Sequence, residues 1–256
     1  MDPVNPFSLA GRTALITGSS RGIGRALALG FAQHGADVAI HCRSTIDRAR
    51  QVAADVAAAG TRSCVVAADL ADADAPQALF DGTVTQLDQI DILVLNASLQ
   101  IRRSWDAITL DDFELQVNVN WRASMALIQL ALPGMIERGW GRILTVGSVQ
   151  QAVPHPQMLV YAGTKAAQEN MARNLAKQVA GTGVTVNNLA PGVIDTDRNK
   201  AVLSDPAFRK RVEGSIPVNF IGESEDCVGA ALLLCSEAGR YITGVDLLVD
   251  GGMALP

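Results

Sequence analysis

The chain has 256 residues, 48% apolar and 18% charged, with a formal net charge of −5 and a mean hydropathy of +0.20. That apolar content excludes a disordered chain and suffices for a sizeable core, while the acid excess and the 4% aromatic content exclude a general nucleic-acid or anionic-membrane surface. The opening Met1-Asp2-Pro3-Val4-Asn5-Pro6 lacks the basic and apolar regions of an export signal, and the longest clean apolar run, about Val228 to Cys235, is far short of the roughly 20 residues of a membrane helix, so a cytoplasmic chain is expected.

Short apolar runs alternate with longer helical stretches. Thr13–Thr17 reads as a buried strand, followed by a helix from about Gly22 to His34. Asp37–Cys42 is a second strand; an Ala-rich helix over about Ile46–Ala59 stops at Gly60. Ser63–Ala67, a helix over Pro76–Leu87 and the strand Asp91–Leu95 follow. Two long helices are expected at about Asp111–Arg138 and Leu159–Gly181, with the strand Arg142–Val146 between them. Val184–Leu189, a helix near Glu225–Ser236 and the strand Asp246–Val249 finish the series. Repeated βα units with uniformly apolar strands predict a single-domain α/β fold over 1–256: a Rossmann-like, doubly wound parallel sheet of about seven strands with helices on both faces. The irregular stretch from Pro191 to Gly222 is expected to be a lid, at about 192–222.

The cysteines (Cys42, Cys64, Cys227, Cys235) and histidines (His34, His41, His155) show no metal-ligand spacing. No metal site is expected, and the thiols read as idle in a reducing cytosol.

The first strand runs into Thr17-Gly18-Ser19-Ser20-Arg21-Gly22-Ile23-Gly24 and then directly into a helix. This G-x3-G-x-G spacing varies the dinucleotide fingerprint but keeps its physics: a tight turn, a close backbone approach to pyrophosphate, and open N–H groups at a helix start. The second strand ends in Cys42, Arg43 and Ser44, where an NAD-type site usually carries an acid. With no carboxylate to repel a 2′-phosphate, and with Arg43 and Arg21 to pair with it, NADP(H) is the expected cofactor and NAD(H) the secondary one.

Tyr161 and Lys165 lie at i and i+4 on a predicted helix and so share a face. An ammonium beside a phenol favours phenolate, which lets a tyrosine exchange a proton with an alcohol near neutral pH. Ser148 follows a strand end, where its hydroxyl can hold a substrate oxygen. A Ser-His-Asp hydrolase is the weaker reading, because no G-x-S-x-G elbow is present and no late His follows.

These residues together resemble the short-chain dehydrogenase/reductases, in their single-domain form of about 250 residues, over nearly the whole chain from Gly11 to Met253. Thr17–Gly24 is similar to the family's T-G-x3-G-I-G loop, and Asp69-Leu70 sits where the family contacts adenine. Asn96-Ala97 matches the middle of its N-N-A-G stretch, with Leu95 and Ser98 departing from it. Pro191, Gly192, Val193, Ile194 and Thr196 resemble the segment that holds the nicotinamide carboxamide. Ser148 lies thirteen residues before Tyr161, the usual family spacing, and Asn120 matches the catalytic Asn.

The resemblance implies Tyr161 as acid/base, Ser148 as the group orienting the carbonyl, Lys165 on the nicotinamide ribose, and Asn120 supporting a water in the proton relay. Residues contacting the dinucleotide would be Gly18, Ser20, Arg21, Gly22, Ile23, Gly24, Arg43, Ser44, Asp69, Leu70, Asn96, Ala97, Tyr161 and Lys165, with the segment from Pro191. Phe220 and Ser224 depart from the Arg and Pro of many relatives, a change expected to touch the lid's anchoring.

Substrate is expected to meet Ser98–Arg103, Gln150–Leu159 and Ile194–Lys200. The polar Gln150, Gln151, His155, Gln157, Arg102, Arg103 and Asn199 suit hydroxyls or a carboxylate better than a steroid, and the run Ser148–Gln151 resembles sugar- or polyol-acting members. A 3-oxoacyl-carrier-protein reductase is the alternative, with Arg102, Arg103, Arg198 and Lys200 as a basic dock. A catalytically silent, NADP-sensing protein is the alternative of another class. The family implies a homotetramer, with which the low charge and the apolar finish Met253-Ala254-Leu255-Pro256 agree.

Overall fold

The computed structural model describes residues 5–255. Met1–Val4, which open the segment expected to carry no export signal, and Pro256, the end of the apolar finish, lie outside the described residues.

Strands here are short apolar runs because both sheet faces are covered. Thr13–Ile16 (β1), Ile92–Leu95 (β4) and Gly141–Val146 (β5) are buried at every position. With Asp37–Cys42 (β2), Ser63–Ala67 (β3), Val184–Pro191 (β6) and Asp246–Val249 (β7) they form a seven-stranded sheet in the order β3-β2-β1-β4-β5-β6-β7. Each neighbouring pair is parallel. Side chains alternate between the faces. Ala14, Ile16, Ile92 and Val94 join one core; Leu15, Leu93 and Leu95 join the other.

The first core is closed by Gly22–Gln33 (α1), Ile46–Ala58 (α2) and Asp226–Cys235 (α9), through Leu27, Phe31, Val52, Ala231 and Leu234. The second is closed by Ala75–Leu87 (α3), Ala123–Glu137 (α5) and Leu159–Gln178 (α6), through Leu79, Leu127 and Met171. A fully buried side chain such as Phe31 contributes about 1.5–3 kcal/mol of burial, and Phe31→Ala would cost about 3–5 kcal/mol with its cavity. The strand order reverses between β1 and β4, which places a ligand crevice at their carboxyl ends.

Two expectations change. The single helix over 111–138 is divided into Leu110–Val117 (α4), a π-helical turn at Asn118–Arg122, and α5. Thr109 caps α4, accepting the Asp112 N–H at 3.1 Å. The wide turn brings Asn120 fully inside the protein, as π-bulges often do at functional sites. The stretch from Pro191 to Gly222 is not irregular throughout. It carries Lys200–Leu203 (α7) and Pro206–Gly214 (α8), the latter started by Asp205 accepting the Ala207 N–H at 2.9 Å, with Pro206 at the first helical position. Leu203, Ile216 and Ile221 give this segment a small core of its own, separate from the two beneath the sheet. No helix among the described residues is long and apolar enough to cross a membrane.

Candidate active site

The loop from β1 to α1 is shaped by backbone. Gly18 adopts φ +66°, a region an L side chain resists. Its N–H donates to Nδ1 of buried His41 at 2.9 Å, and His41 Nε2 lies 3.0 Å from the Ala68 carbonyl. An amide N–H only donates and a carbonyl only accepts, so His41 is the neutral Nε2–H tautomer. Burial pushes its pKa below the usual 6.5, against the raising pull of the Ala68 carbonyl and the Asp69 charge. Behind the loop, Asn96 Nδ2 donates to the carbonyls of Thr17 (2.8 Å) and Gly18 (3.1 Å). A methyl on Gly24 would stand 2.5 Å from both Asn96 Nδ2 and the Gly18 carbonyl oxygen. No side chain caps α1, so its first N–H groups are open to an anion.

The loop forms one end of a cleft of about 530 Å³. Ser20, Arg21, Gly22, Ile23, Arg43, Ser44, Asp69, Leu70 and Ala97 line it, as do Pro191, Gly192, Val193, Ile194 and Thr196. Ser20 and Thr45 bond through their hydroxyls at 2.8 Å. β2 ends in Cys42 and an exposed Arg43, with no carboxylate. Arg21 lies 3.9 Å from Asp197, which binds Arg48, a residue the sequence reading missed, at 2.8 Å. The cradle, the uncapped helix start and the cationic rim fit a dinucleotide.

At the other end, Tyr161 and Lys165 line the same cleft from the buried face of α6, 5% and 1% exposed. The Lys165 ammonium stands 5.7 Å from the Tyr161 ring centre and donates to the Val146 carbonyl at 2.6 Å and to Gln168 Oε1 at 2.9 Å. Burial, then the positive charge of Arg198, pushes its pKa down to about 7. Ser148 lies two residues beyond β5; its Oγ accepts the Gln150 N–H at 3.2 Å while Gln151 Oε1 accepts the Ser148 N–H at 3.3 Å, a reciprocal cap that aims the hydroxyl. Asn120 Oδ1 accepts the Leu99 N–H at 2.7 Å, and its Nδ2 donates to the Leu99 carbonyl (2.9 Å) and Thr164 Oγ1 (3.0 Å). Asn120 thus stands in for a strand neighbour to the loop after β4. A buried Tyr with a buried Lys one turn away, beside an aimed hydroxyl, can exchange a proton with a ligand oxygen.

A family model described as enoyl-(acyl carrier protein) reductase matches residues 18–254. The chain is similar to 3beta-hydroxysteroid dehydrogenase 1 of Eggerthella lenta, 33% identical over 96% of this chain and 95% of the relative. It is similar to a solved 3-oxoacyl (acyl-carrier-protein) reductase from Agrobacterium tumefaciens C58 with NADP bound, at 40% identity and a TM-score of 0.92, covering 96% of this chain and 95% of the other. It also resembles a gluconate 5-dehydrogenase from Burkholderia cenocepacia J2315 in complex with NADP and tartrate, at 35% identity and a TM-score of 0.91, covering 98% of each chain.

The chain belongs to the short-chain dehydrogenase/reductase family.

In this dehydrogenase/reductase the cleft is lined by the polar Gln150, His155, Arg102 and Asn199 and by the apolar Leu115, Met158, Val202, Phe208 and Met253. Burial and the nearby Arg102 lower the His155 pKa. Gln150 Oε1 is buried without a hydrogen-bond partner among the described residues. Arg198 reaches inward to the Ser98 carbonyl (2.9 Å) and hydroxyl (2.8 Å), tying the segment after β6 to the loop after β4.

Three sequence assignments are corrected. Gln151 turns away to Asp246 at 2.7 Å, Arg103 is bound to Asp112 at 3.1 Å, and Gln157 does not line the cleft. All three stand near the pocket in sequence, but the carboxylates of Asp246 and Asp112 set the direction of Gln151 and Arg103. The four cysteines are buried and free, and burial pushes the Cys64 thiol up to about 11 and those of Cys227 and Cys235 up to about 12.

Proposed function

We propose that the protein is an NADP(H)-dependent dehydrogenase/reductase that interconverts a carbonyl and a secondary alcohol on a sugar or polyol, including sugar acids. The observation that carries the reading is the buried Tyr161–Lys165 pair in the same cleft as the Gly18–Gly24 loop. When bound, the nicotinamide supplies or takes up the hydride. Tyr161 gives the proton to the carbonyl oxygen in reduction and takes it from the hydroxyl in oxidation. Ser148 holds that oxygen, Lys165 sets a positive field beside the phenol, and Asn120 fixes the loop carrying Ser98 and Leu99. Arg43, beside the Ser44 backbone, supports the 2′-phosphate, and the NADP in the similar solved structures agrees.

The names of the relatives span a steroid, a carrier-bound ketoacid and a sugar acid, so pocket chemistry decides. The polar lining of Gln150, Arg102 and His155 favours hydroxyls and a carboxylate. The carrier-protein alternative needs a basic mouth, yet Arg103 and Arg198 are already engaged within the protein. A silent sensor needs no buried lysine beside a tyrosine. The segment 192–222, with its own small core, acts as the lid. The exposed apolar residues Leu110 and Phe113 on α4, Trp121 on the π-helical turn and Met125 on α5, with Tyr241, Leu248 and Leu255 near the C-terminus, support a homotetramer. The buried free thiols support a cytoplasmic location.

A panel of aldonates, sugars, polyols and ketones followed by NADPH absorbance tests the reading. Turnover is expected, and Tyr161→Phe should lower it by about 10²–10⁴-fold with NADPH binding kept. Full activity of that variant refutes the assignment, and tighter binding of NADH than of NADPH refutes the cofactor choice.

A further inference from the structure

Beneath the active site a chain of buried polar groups links Lys165 to the Asn120 carbonyl through Gln168 and Ser124, two side chains that the proposed reaction does not use. Lys165 Nζ donates to Gln168 Oε1 at 2.9 Å. Gln168 Nε2 donates to Ser124 Oγ at 3.0 Å, and Ser124 Oγ donates to the Asn120 carbonyl at 2.8 Å. Gln168 and Asn120 are fully buried, Lys165 is 1% exposed and Ser124 4%.

The direction of this chain is forced from its far end. A carbonyl only accepts, so the Ser124 hydroxyl must spend its hydrogen on Asn120 and offers lone pairs to Gln168. Gln168 must then present its NH2 to Ser124, which leaves its carbonyl oxygen facing Lys165. The bond from Ser124 to the Asn120 carbonyl therefore fixes which end of the Gln168 amide the lysine meets. A Ser bonding back to the i−4 carbonyl is common in helices; here that bond orients an amide on another helix. An ammonium has three hydrogens. The Val146 carbonyl takes one at 2.6 Å and Gln168 the second, which leaves one for the cleft.

We propose that Gln168, oriented by Ser124 and the Asn120 carbonyl, is a positioning residue that holds the Lys165 ammonium protonated and aimed at the cleft. Burial and the Arg198 charge oppose protonation, and Tyr161 is the other ionisable group facing Lys165. Gln168 Oε1 and the Val146 carbonyl are what favour it. The kinetic arm of the test rests on the oxidoreductase reading; the spectroscopic arm does not.

The chain contains four lysines, so the 13Cε resonance of Lys165 can be titrated by NMR in the free protein and assigned by its loss in Lys165→Met. Gln168→Met removes the acceptor at similar volume and should move the Lys165 midpoint down by about one pH unit, the scale of one hydrogen bond to a charged group. Gln168→Glu supplies a charged acceptor and should move it up. In the active enzyme, the acid limb of kcat for alcohol oxidation should move up in pH for Gln168→Met and down for Gln168→Glu, with KM for the alcohol within about twofold. If Gln168→Met does not fold, Ser124→Ala frees the amide and should move the midpoint down by a smaller amount. A midpoint that stays put in the folded variants, or moves the same way in Met and Glu, overturns the proposal. A wild-type protein without turnover but with these opposed shifts would sink the enzymatic reading and leave the positioning role standing.

Discussion

The two ends of the cleft are held by different materials. The nucleotide end is mostly backbone: Gly18 N–H, the carbonyls of Thr17, Gly18 and Ala68, and the open start of α1, fixed by His41 and Asn96. The substrate end is mostly side chains brought from the loops after β4, β5 and β6, with Arg198 bridging two of them. A backbone site accepts few changes, because its shape is set by glycines and by strands packed on both sides. A side-chain site can be rewritten one residue at a time without disturbing the sheet. The division explains how relatives of one fold carry names as different as a steroid and a gluconate dehydrogenase.

The largest effect on cofactor affinity should come from the backbone end. Gly24→Ala places a methyl 2.5 Å from the Gly18 carbonyl oxygen and Asn96 Nδ2, two groups already tied together by the hydrogen bonds of Asn96 to the Thr17 and Gly18 carbonyls. Overpacking of this kind costs about 1–3 kcal/mol, and a comparable loss of NADPH affinity is roughly ten- to a hundredfold. Fluorescence titration of NADPH and a thermal melt measure both. An unchanged affinity would mean that the loop is as adaptable as the substrate end, and the contrast would fail.

The same contrast explains what could be read without coordinates. Gly18, Gly22 and Gly24, and the Tyr161–Lys165 pair, obey local spacing rules, and the seven strands follow from apolar runs between turn signals. His41 carries no local signal, because its partners, Gly18 and Ala68, lie 23 and 27 residues away and meet it only through the sheet register. Gln168 left a faint signal: a polar residue three positions after Lys165, on a face expected to be buried. The π turn at Asn118–Arg122 left none, since a helix with one wide turn has nearly the pattern of an uninterrupted one. Gln151 and Arg103 were misplaced for the converse reason, that spacing gives a position and not a direction.

A smaller, selective effect belongs to the substrate end. Gln150→Leu removes the unpartnered acceptor without touching the sheet. One neutral hydrogen bond is worth about 0.5–1.5 kcal/mol, so KM for a polyhydroxy substrate should rise roughly three- to tenfold. NADPH affinity should not move. Steady-state kinetics with a sugar acid and with a simple ketone separate the cases: the ketone, with no hydroxyl to offer Gln150, should lose little. Equal losses on both would show that Gln150 shapes the pocket rather than reads the substrate.

The smallest effect is a slope. His41 is neutral in the folded protein, with its pKa held below 6.5 chiefly by burial. Above that pH both folded and unfolded chains carry it uncharged, and its contribution is whole. As pH falls below 6.5 the unfolded chain takes up a proton that folded His41 resists, so stability declines until the folded pKa is reached. Protonation of the folded protein would turn Nδ1 into a donor facing the Gly18 N–H, so the phosphate loop should loosen only as the pH reaches the folded pKa, below that window. The melting temperature should drop by a few degrees between about pH 7 and pH 5, each kcal/mol being worth about 2–4 °C in a chain of this size. In His41→Asn, which keeps an acceptor and a donor but cannot ionise there, the slope should flatten while the affinity for NADPH ceases to depend on acid. A variant that keeps the full slope would place the sensitive group elsewhere, with His155 at the substrate end the next to examine.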